Sequence, residues 1–252
     1  MVCTVQIYQR PKIESPVLIE GLPGIGFVAN ISALHLIHEL DAKLFAEISS
    51  SSFQDLAVTT ERGKTRSPIN QLYYHKSRDI ERDLIIWYGN TQALTTFGQY
   101  ERCGRVLDTA QELGCEWIIT LGGFRQEETK HPPKVYCAAS DLESLKTAKR
   151  LGAQIMVGQI YGLAGITVGL ARLRNLKAFS LLVETPGTHP DTEAAQRALE
   201  ALTEFLKLKI SLADLDKATE ETRNILKSFG LISHPVDQEE KKKKGTQFRW
   251  YV

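Results

Sequence analysis

Apolar residues in this chain fall into two kinds of pattern. Some form short unbroken runs: Val17-Leu18-Ile19, Asp83-Leu84-Ile85-Ile86-Trp87-Tyr88, Glu116-Trp117-Ile118-Ile119-Thr120-Leu121, Val135-Tyr136-Cys137-Ala138-Ala139 and Ala178-Phe179-Ser180-Leu181-Leu182-Val183. Runs of this length, closed by glycine or by turn residues, predict strands buried on both faces. Leu44 to Ile48 and Ile69 to Tyr74 also read as extended, with the polar stretch Thr59 to Ser67 as a loop between them. Elsewhere apolar residues recur at three- and four-residue steps and predict helices. Val28, Ile31, Leu34 and His38 mark one, with Leu36, Ile37 and Leu40 broadening its face. Phe97, Tyr100, Cys103, Leu107, Ala110 and Leu113 mark a second, from about Thr95 to Leu113, stopped by Gly114. Asp141 and Asp191 stand where N-caps are expected, before helices running to Arg150 and across Ala195, Ala198, Leu202 and Phe205. A further helix is predicted from Ile166 to Leu173. A last amphipathic one starts near Ser211 and carries Leu212, Leu215, Ala218, Ile225 and Phe229 before Gly230; its apolar face suits packing on the body or between subunits.

Strands alternating with helices predict one α/β domain, residues 1–230, with a mostly parallel sheet flanked by helices and two helices at its C-terminal end. No periodicity is visible from Leu231 to Val252, where His234-Pro235 is followed by the polar stretch Asp237 to Gln247. Residues 231–252 therefore read as a flexible polar tail.

Composition narrows the function classes. A chain of 252 residues with 42% hydrophobic and 24% charged positions has enough apolar material for a sizeable core. A net charge of +1 provides no field for nucleic acid or an anionic membrane. The run Lys241-Lys242-Lys243-Lys244 is locally basic, but it lacks the interleaved aromatics of a nucleic-acid surface. No apolar stretch approaches the length of a membrane span, and Met1-Val2-Cys3-Thr4 does not open a signal peptide. A cytoplasmic protein with reduced thiols is expected.

Candidate chemistry concentrates in glycine turns after strands. Gly21-Leu22-Pro23-Gly24-Ile25-Gly26 follows the first strand and opens a helix, a position where backbone N–H groups can hold an anion. Its spacing is neither the dinucleotide fingerprint nor a P-loop, and a tight turn with close helix–sheet approach explains the glycines as well. In a mostly parallel sheet the loops at Gly24 and Gly26, at Gly122-Gly123, and at Gly187 beside His189 would gather at one edge, the usual ligand position. Glu184, His189 and Asp191 could do acid–base work there, against a blander reading of Asp191 as a helix cap and His189 as a solvated turn residue. Cys3, Cys103, Cys115 and Cys137 form no metal-binding spacing; the last three fall in apolar patterns and read as buried small side chains. No nucleophile elbow or metal motif is present, so no catalytic residue, metal or cofactor is expected.

Taken together, Leu22-Pro23-Gly24-Ile25-Gly26, Leu121-Gly122-Gly123, Tyr161-Gly162-Leu163-Ala164-Gly165 and Glu184-Thr185-Pro186-Gly187 before His189-Pro190-Asp191 resemble the archaeal branch of the proteasome assembly chaperone family. The resemblance spans about Val17 to Phe205. It implies an α/β sandwich similar to phosphorylase- and hydrolase-like folds, no catalytic residues, and a homo-oligomer of about four or five subunits. It also implies C-terminal tails presented to the proteasome α-subunits. The chain ends in Trp250-Tyr251-Val252, the hydrophobic-tyrosine-any residue pattern by which proteasome activators and assembly factors dock into the α-ring. With 8 tyrosines in 252 residues and 42% hydrophobic positions, composition alone produces this ending at a rate of about 1%. In such tails the carboxylate of Val252 would pair with a lysine between two α-subunits, Tyr251 would hold the pocket loop through its hydroxyl, and Trp250 would fill an apolar step. The expectation is thus a non-enzymatic assembly chaperone or docking protein of the proteasome. The alternative is a small-molecule enzyme or ligand sensor, nucleoside- or carboxylate-ligase-like, working at the glycine loops.

Overall fold

The structure, a computed structural model, describes residues 3–59, 62–77, 82–128 and 131–230. The elements follow the apolar pattern closely. The first half contains β1 (Thr4–Ile7), β2 (Val17–Gly21), α1 (Val28–Glu39), β3 (Lys43–Ser49), the short pair β4 (Val58–Thr59) and β5 (Thr65–Arg66), β6 (Asn70–His75), β7 (Leu84–Gly89) and α2 (Thr96–Glu112). The second half contains β8 (Trp117–Arg125), β9 (Val135–Cys137), α3 (Leu142–Arg150), β10 (Gln154–Ile155), α4 (Leu163–Leu173), β11 (Lys177–Thr185), α5 (Thr192–Leu206) and α6 (Leu215–Ser228). A single 3-10 turn, Ile25–Phe27, joins β2 to α1. The caps fall where expected: Asp141 accepts from the N–H groups of Glu143 and Ser144, and Asp191 from that of Ala194.

Nine strands form one sheet in the order β1-β3-β6-β7-β2-β8-β11-β9-β10. Its centre is parallel: β7 with β2, β2 with β8, and β8 with β11. Towards β1 the pairings turn antiparallel, as does β9 on β11. The mostly parallel sheet expected from the alternation of strands and helices is therefore the centre of a mixed sheet. Sequence runs cannot distinguish a strand that returns by a hairpin from one that returns over a helix when the connection is long.

Helices cover both faces of this sheet, which is why the central strands read as unbroken apolar runs. On one side Val17 and Ile19 of β2, Ile119 and Leu121 of β8, and Phe179 and Leu181 of β11 pack against α1, α3, α5 and α6. On the other, Leu18, Ile85, Trp87 and Ile118 pack against α2 and α4. The result is a three-layer α/β/α sandwich. The amphipathic helix α6 spends its apolar face on the body: Leu215, Ala218 and Leu226 are buried against the layer that contains α1 and α5. It begins at Leu215, after an irregular stretch, rather than near Ser211.

Four further departures concern single elements. β8 does not close on Gly122-Gly123 but continues to Arg125, because β11 pairs with it in parallel through Leu182↔Gly122 and Val183↔Gly123. The polar stretch from Thr59 to Ser67, expected as a loop, carries the small antiparallel pairing of β4 with β5, whose short polar strands leave no hydrophobic period to read. α4 begins at Leu163, a turn earlier than Ile166. On α2 the core face consists of Cys103, Val106, Leu107 and Ala110, with Arg102 at 0% exposure among them, while Phe97 and Tyr100 are 74% and 50% exposed. The periodicity includes these two aromatics, but they point away from the core.

Candidate functional site

β2 lies at the sheet's centre, with β7 on one side and β8 on the other. The chain leaves the carboxyl end of β2 through α1 towards β3 on one side of the sheet, and that of its neighbour β8 towards β9 on the other, the arrangement that opens a crevice in α/β sheets. The first glycine loop starts here. Gly21 brings α1 against β2 so tightly that an added Cβ would stand 2.0 Å from Cβ of Ala33. Asn30 of α1 donates to the carbonyl of Gly89 at 2.6 Å, tying the helix to the end of β7. Gly26 takes φ +62°, and a Cβ there would lie 2.7 Å from Oγ1 of Thr185. The N–H of Asp191 donates to the carbonyl of Gly26. A Cβ on Gly123 would meet the carbonyl oxygen of Ile25 at 2.2 Å, and one on Gly187, at φ +70°, would meet Cγ2 of Ile25 at 2.6 Å. The three loops expected to gather at one edge are therefore brought together, with Ile25 at their junction.

Above them, at the carboxyl ends of β2 and β8 and the N-terminal turn of α4, opens a cleft of about 430 Å³. Gly24, Gly122 and Gly123 line it; Gly26, Gly187 and His189 do not. The first two of those three are packing glycines behind its wall. His189 is exposed, with its imidazole against the hydroxyl of its neighbour Thr188. The acid–base group entertained for the third loop is not assembled. Glu184 accepts from the hydroxyl of Tyr136 and the N–H of Lys134. Asp191 caps α5 and accepts from Thr185 at 2.6 Å. All four cysteines are free and buried, and burial raises their thiols, to about 11 for Cys103 and about 12 for Cys115. That is the chemistry of packed side chains, not of nucleophiles. Among the described residues no cluster of His, Cys, Asp and Glu could hold a metal ion, and no helix is long and apolar enough to cross a membrane.

The residue that sequence reasoning passed over is Glu20. It follows the run Val17-Leu18-Ile19 on the same strand and faces the α2–α4 layer, as the alternation with Leu18 requires. It is 2% exposed and lines the cleft. One carboxyl oxygen accepts from the N–H of Leu22 at 3.0 Å; the other, equally buried, has no partner. Burial pushes its pKa up to about 8, against the smaller opposing pull of the Leu22 N–H and the Arg102 guanidinium. Arg102 itself is buried, donating to the carbonyl of Thr91 and to Gln99, with its guanidinium over the rings of Trp87 and Phe53. Desolvation lowers it only to about 10, so it stays charged at neutral pH. An acidic residue inside an apolar run, directly before a glycine turn, was the available signal.

The sequence motifs and the fold have counterparts. The model of the PAC2 family matches residues 18–229 of this chain. The chain belongs to the PAC2 family. Among solved structures, Pyrococcus furiosus PbaB, an archaeal proteasome activator, matches with a TM-score of 0.81 and 37% identity over 91% of this chain and 99% of that one. Pyrococcus furiosus PbaA, an archaeal homolog of proteasome-assembly chaperone, matches with a TM-score of 0.73 and 27% identity over 89% and 94%. The Methanocaldococcus jannaschii protein MJ1210 is 30% identical over 218 residues, 86% of this chain and 83% of that one. For this PAC2-family chain the resemblance carried by the glycine loops is thereby established, together with the α/β sandwich it implied. Trp250, Tyr251 and Val252, together with Lys241 to Lys244, lie outside the described residues.

Proposed function

We propose that this PAC2-family protein is a proteasome assembly chaperone or proteasome-docking protein that binds the 20S α-ring through its C-terminal tail. The observation that carries the reading is the similarity of its whole body to an archaeal proteasome activator, at 37% identity over 91% of the chain. The tail ending in Trp250-Tyr251-Val252 supplies the docking element. Between the last described residue, Gly230, and Trp250 lies a polar segment of about 20 residues, which as a coil spans roughly 25 Å and can reach from a globular body into a pocket. One such tail binds weakly because it must be ordered on docking. Several tails on one oligomer gain through effective concentration. The reading therefore includes a homo-oligomer of about four or five subunits.

The surface best suited to self-contact is not α6, whose apolar face is buried. It is the groove between α2 and α4, lined by Tyr100, Ile166, Leu170 and Leu173, with Phe97 exposed one turn before Tyr100 on α2. Phe97 and Leu173 are 74% and 78% exposed, more apolar surface than a free helix face gains by leaving in water. No enzymatic activity belongs to this reading: Glu184 and Asp191 are engaged in structural hydrogen bonds. The test is capture of α-rings by the full-length protein and by a version lacking Trp250 to Val252, with the intact mass of the native protein establishing Val252 as the terminal residue. Capture lost on truncation, with the oligomer unchanged, is the expected result. Truncated protein that still co-migrates with α-rings refutes tail docking.

A further inference from the structure

The cleft at the carboxyl edge of β2 and β8 has a composition that the docking function does not use. Most of its wall is apolar, contributed by Leu22, Ile25, Phe124, Met156 and Leu182 among others. Into this wall the fold sets three polar features of one kind. Among the described residues Glu20 is the only acidic one lining it, and its unpartnered oxygen is buried there. α4 begins at the cleft with Gly162 as its cap residue and no side-chain cap, so the N–H groups of its first turn have no side-chain acceptor. Arg125, the only basic lining residue among those described, stands exposed at the rim. The remaining side-chain amides already have partners: Gln92 donates to the carbonyl of Pro23 and accepts from Gln99, and Gln159 accepts from Tyr161.

At neutral pH a carboxyl held near pKa 8 is a neutral acid. Its oxygen facing Leu22 N–H accepts; the other carries the proton and donates. All three polar features are then donors, or positive, and none is a fixed negative charge. The first turn of α4 adds the positive end of an 11-residue helix. This turn rests on β8: Thr120 donates from its hydroxyl to the carbonyl of Ala164 at 3.0 Å, and a Cβ on Gly122 would stand 3.8 Å from Cβ of Ala164.

We propose that this cleft binds a small organic anion, a carboxylate on an apolar body, with its head between Glu20 and the first turn of α4 and its body on the apolar wall. A cleft of about 430 Å³ lies in the size range of small-molecule sites. The site lies wholly in the body of the protein. It does not depend on the docking reading, since α-ring capture and ligand binding are measured separately.

The test uses the full-length protein and three probes with one body: phenylbutyrate, its neutral amide, and phenylbutylamine. Binding is followed by titration calorimetry and by amide shift changes. Phenylbutyrate is expected to bind at least about ten-fold more tightly than the amine, since one set of donors meets an acceptor in the first case and another donor in the second. Glu20→Gln keeps a donor at the same place and is expected to stay within about three-fold of the parent; Glu20→Met removes it and is expected to lose about ten-fold or more. Gly24→Phe decides the matter if Glu20→Met does not fold. Gly24 has φ −159°, an extended backbone open to any residue, and an added Cβ meets no atom within 4 Å. A ring there projects at the cleft mouth and is expected to abolish binding. The proposal is overturned if the amine binds as tightly as the carboxylate, if Gly24→Phe binds phenylbutyrate like the parent, or if phenylbutyrate shows no saturable binding at about 10 mM, the weak end of specific small-ligand affinity.

Discussion

Glu20 provides a stability measurement that needs no partner and no ligand. Its pKa rises from 4.5 to about 8 on burial in the fold, while in the unfolded chain it has the ordinary value. Between those two values the folded state holds a proton that the unfolded state has lost. Stability due to Glu20 is thus fully present below about pH 4.5, falls by about 1.4 kcal/mol per pH unit as pH rises, and levels off once pH passes about 8. The substitution Glu20→Gln mimics the neutral acid. It keeps a carbonyl oxygen for the N–H of Leu22, has the same volume, and does not titrate. All other titrating groups are common to the two proteins and cancel in their difference. From about pH 5.5 to 8.5 the parent is expected to lose about 3 kcal/mol relative to the variant, or roughly 6–12 °C in Tm for a chain of this size. Urea unfolding at a series of pH values, with both proteins in the same buffers, measures the difference directly. Two curves that stay parallel across this range would refute the assignment of Glu20 as a buried neutral acid, and with it the donor character given to the cleft. A difference that grew as pH fell would mean that Glu20 is ionised in the folded protein.

Two further outcomes follow from packing. Gly123→Ala sets a Cβ 2.2 Å from the backbone oxygen of Ile25 and 2.7 Å from Cγ2 of Thr185; backbone cannot yield as a flexible side chain does, so a loss of about 2–3 kcal/mol is expected in urea unfolding. Gly24→Ala, in open space, should stay within about 0.5 kcal/mol of the parent, and equal losses for the two would refute the account of how the loops converge. Joint replacement Phe97→Glu and Leu173→Glu should dissociate the oligomer in sedimentation experiments without changing the helical signal; an unchanged mass would move the self-contact away from the α2–α4 groove.

Much of this architecture is written in local pattern. Apolar runs such as Ile118 to Leu121 and Leu181 to Val183 announce strands covered on both faces, because only burial on both sides favours side chains of that kind at every position. The caps Asp141 and Asp191 and the turn glycines of the first loop are equally local, since each answers a need of its own few residues: an unbonded N–H, a positive φ, a close approach. These features also carry the family resemblance. What the sequence leaves open depends on residues far apart in the chain. Pairing of β8 with β11 extends a strand through Gly122 and Gly123 that local reading ends there. The packing of α2 decides that Arg102 is buried while Phe97, on the same helix, faces solvent. The placement of β2 between β7 and β8 puts Glu20 on the sheet face that α2 and α4 cover, and burial there, not residue type, raises its pKa. A carboxyl's protonation is set by the dielectric and charges around it, and those surroundings exist only once distant segments have come together.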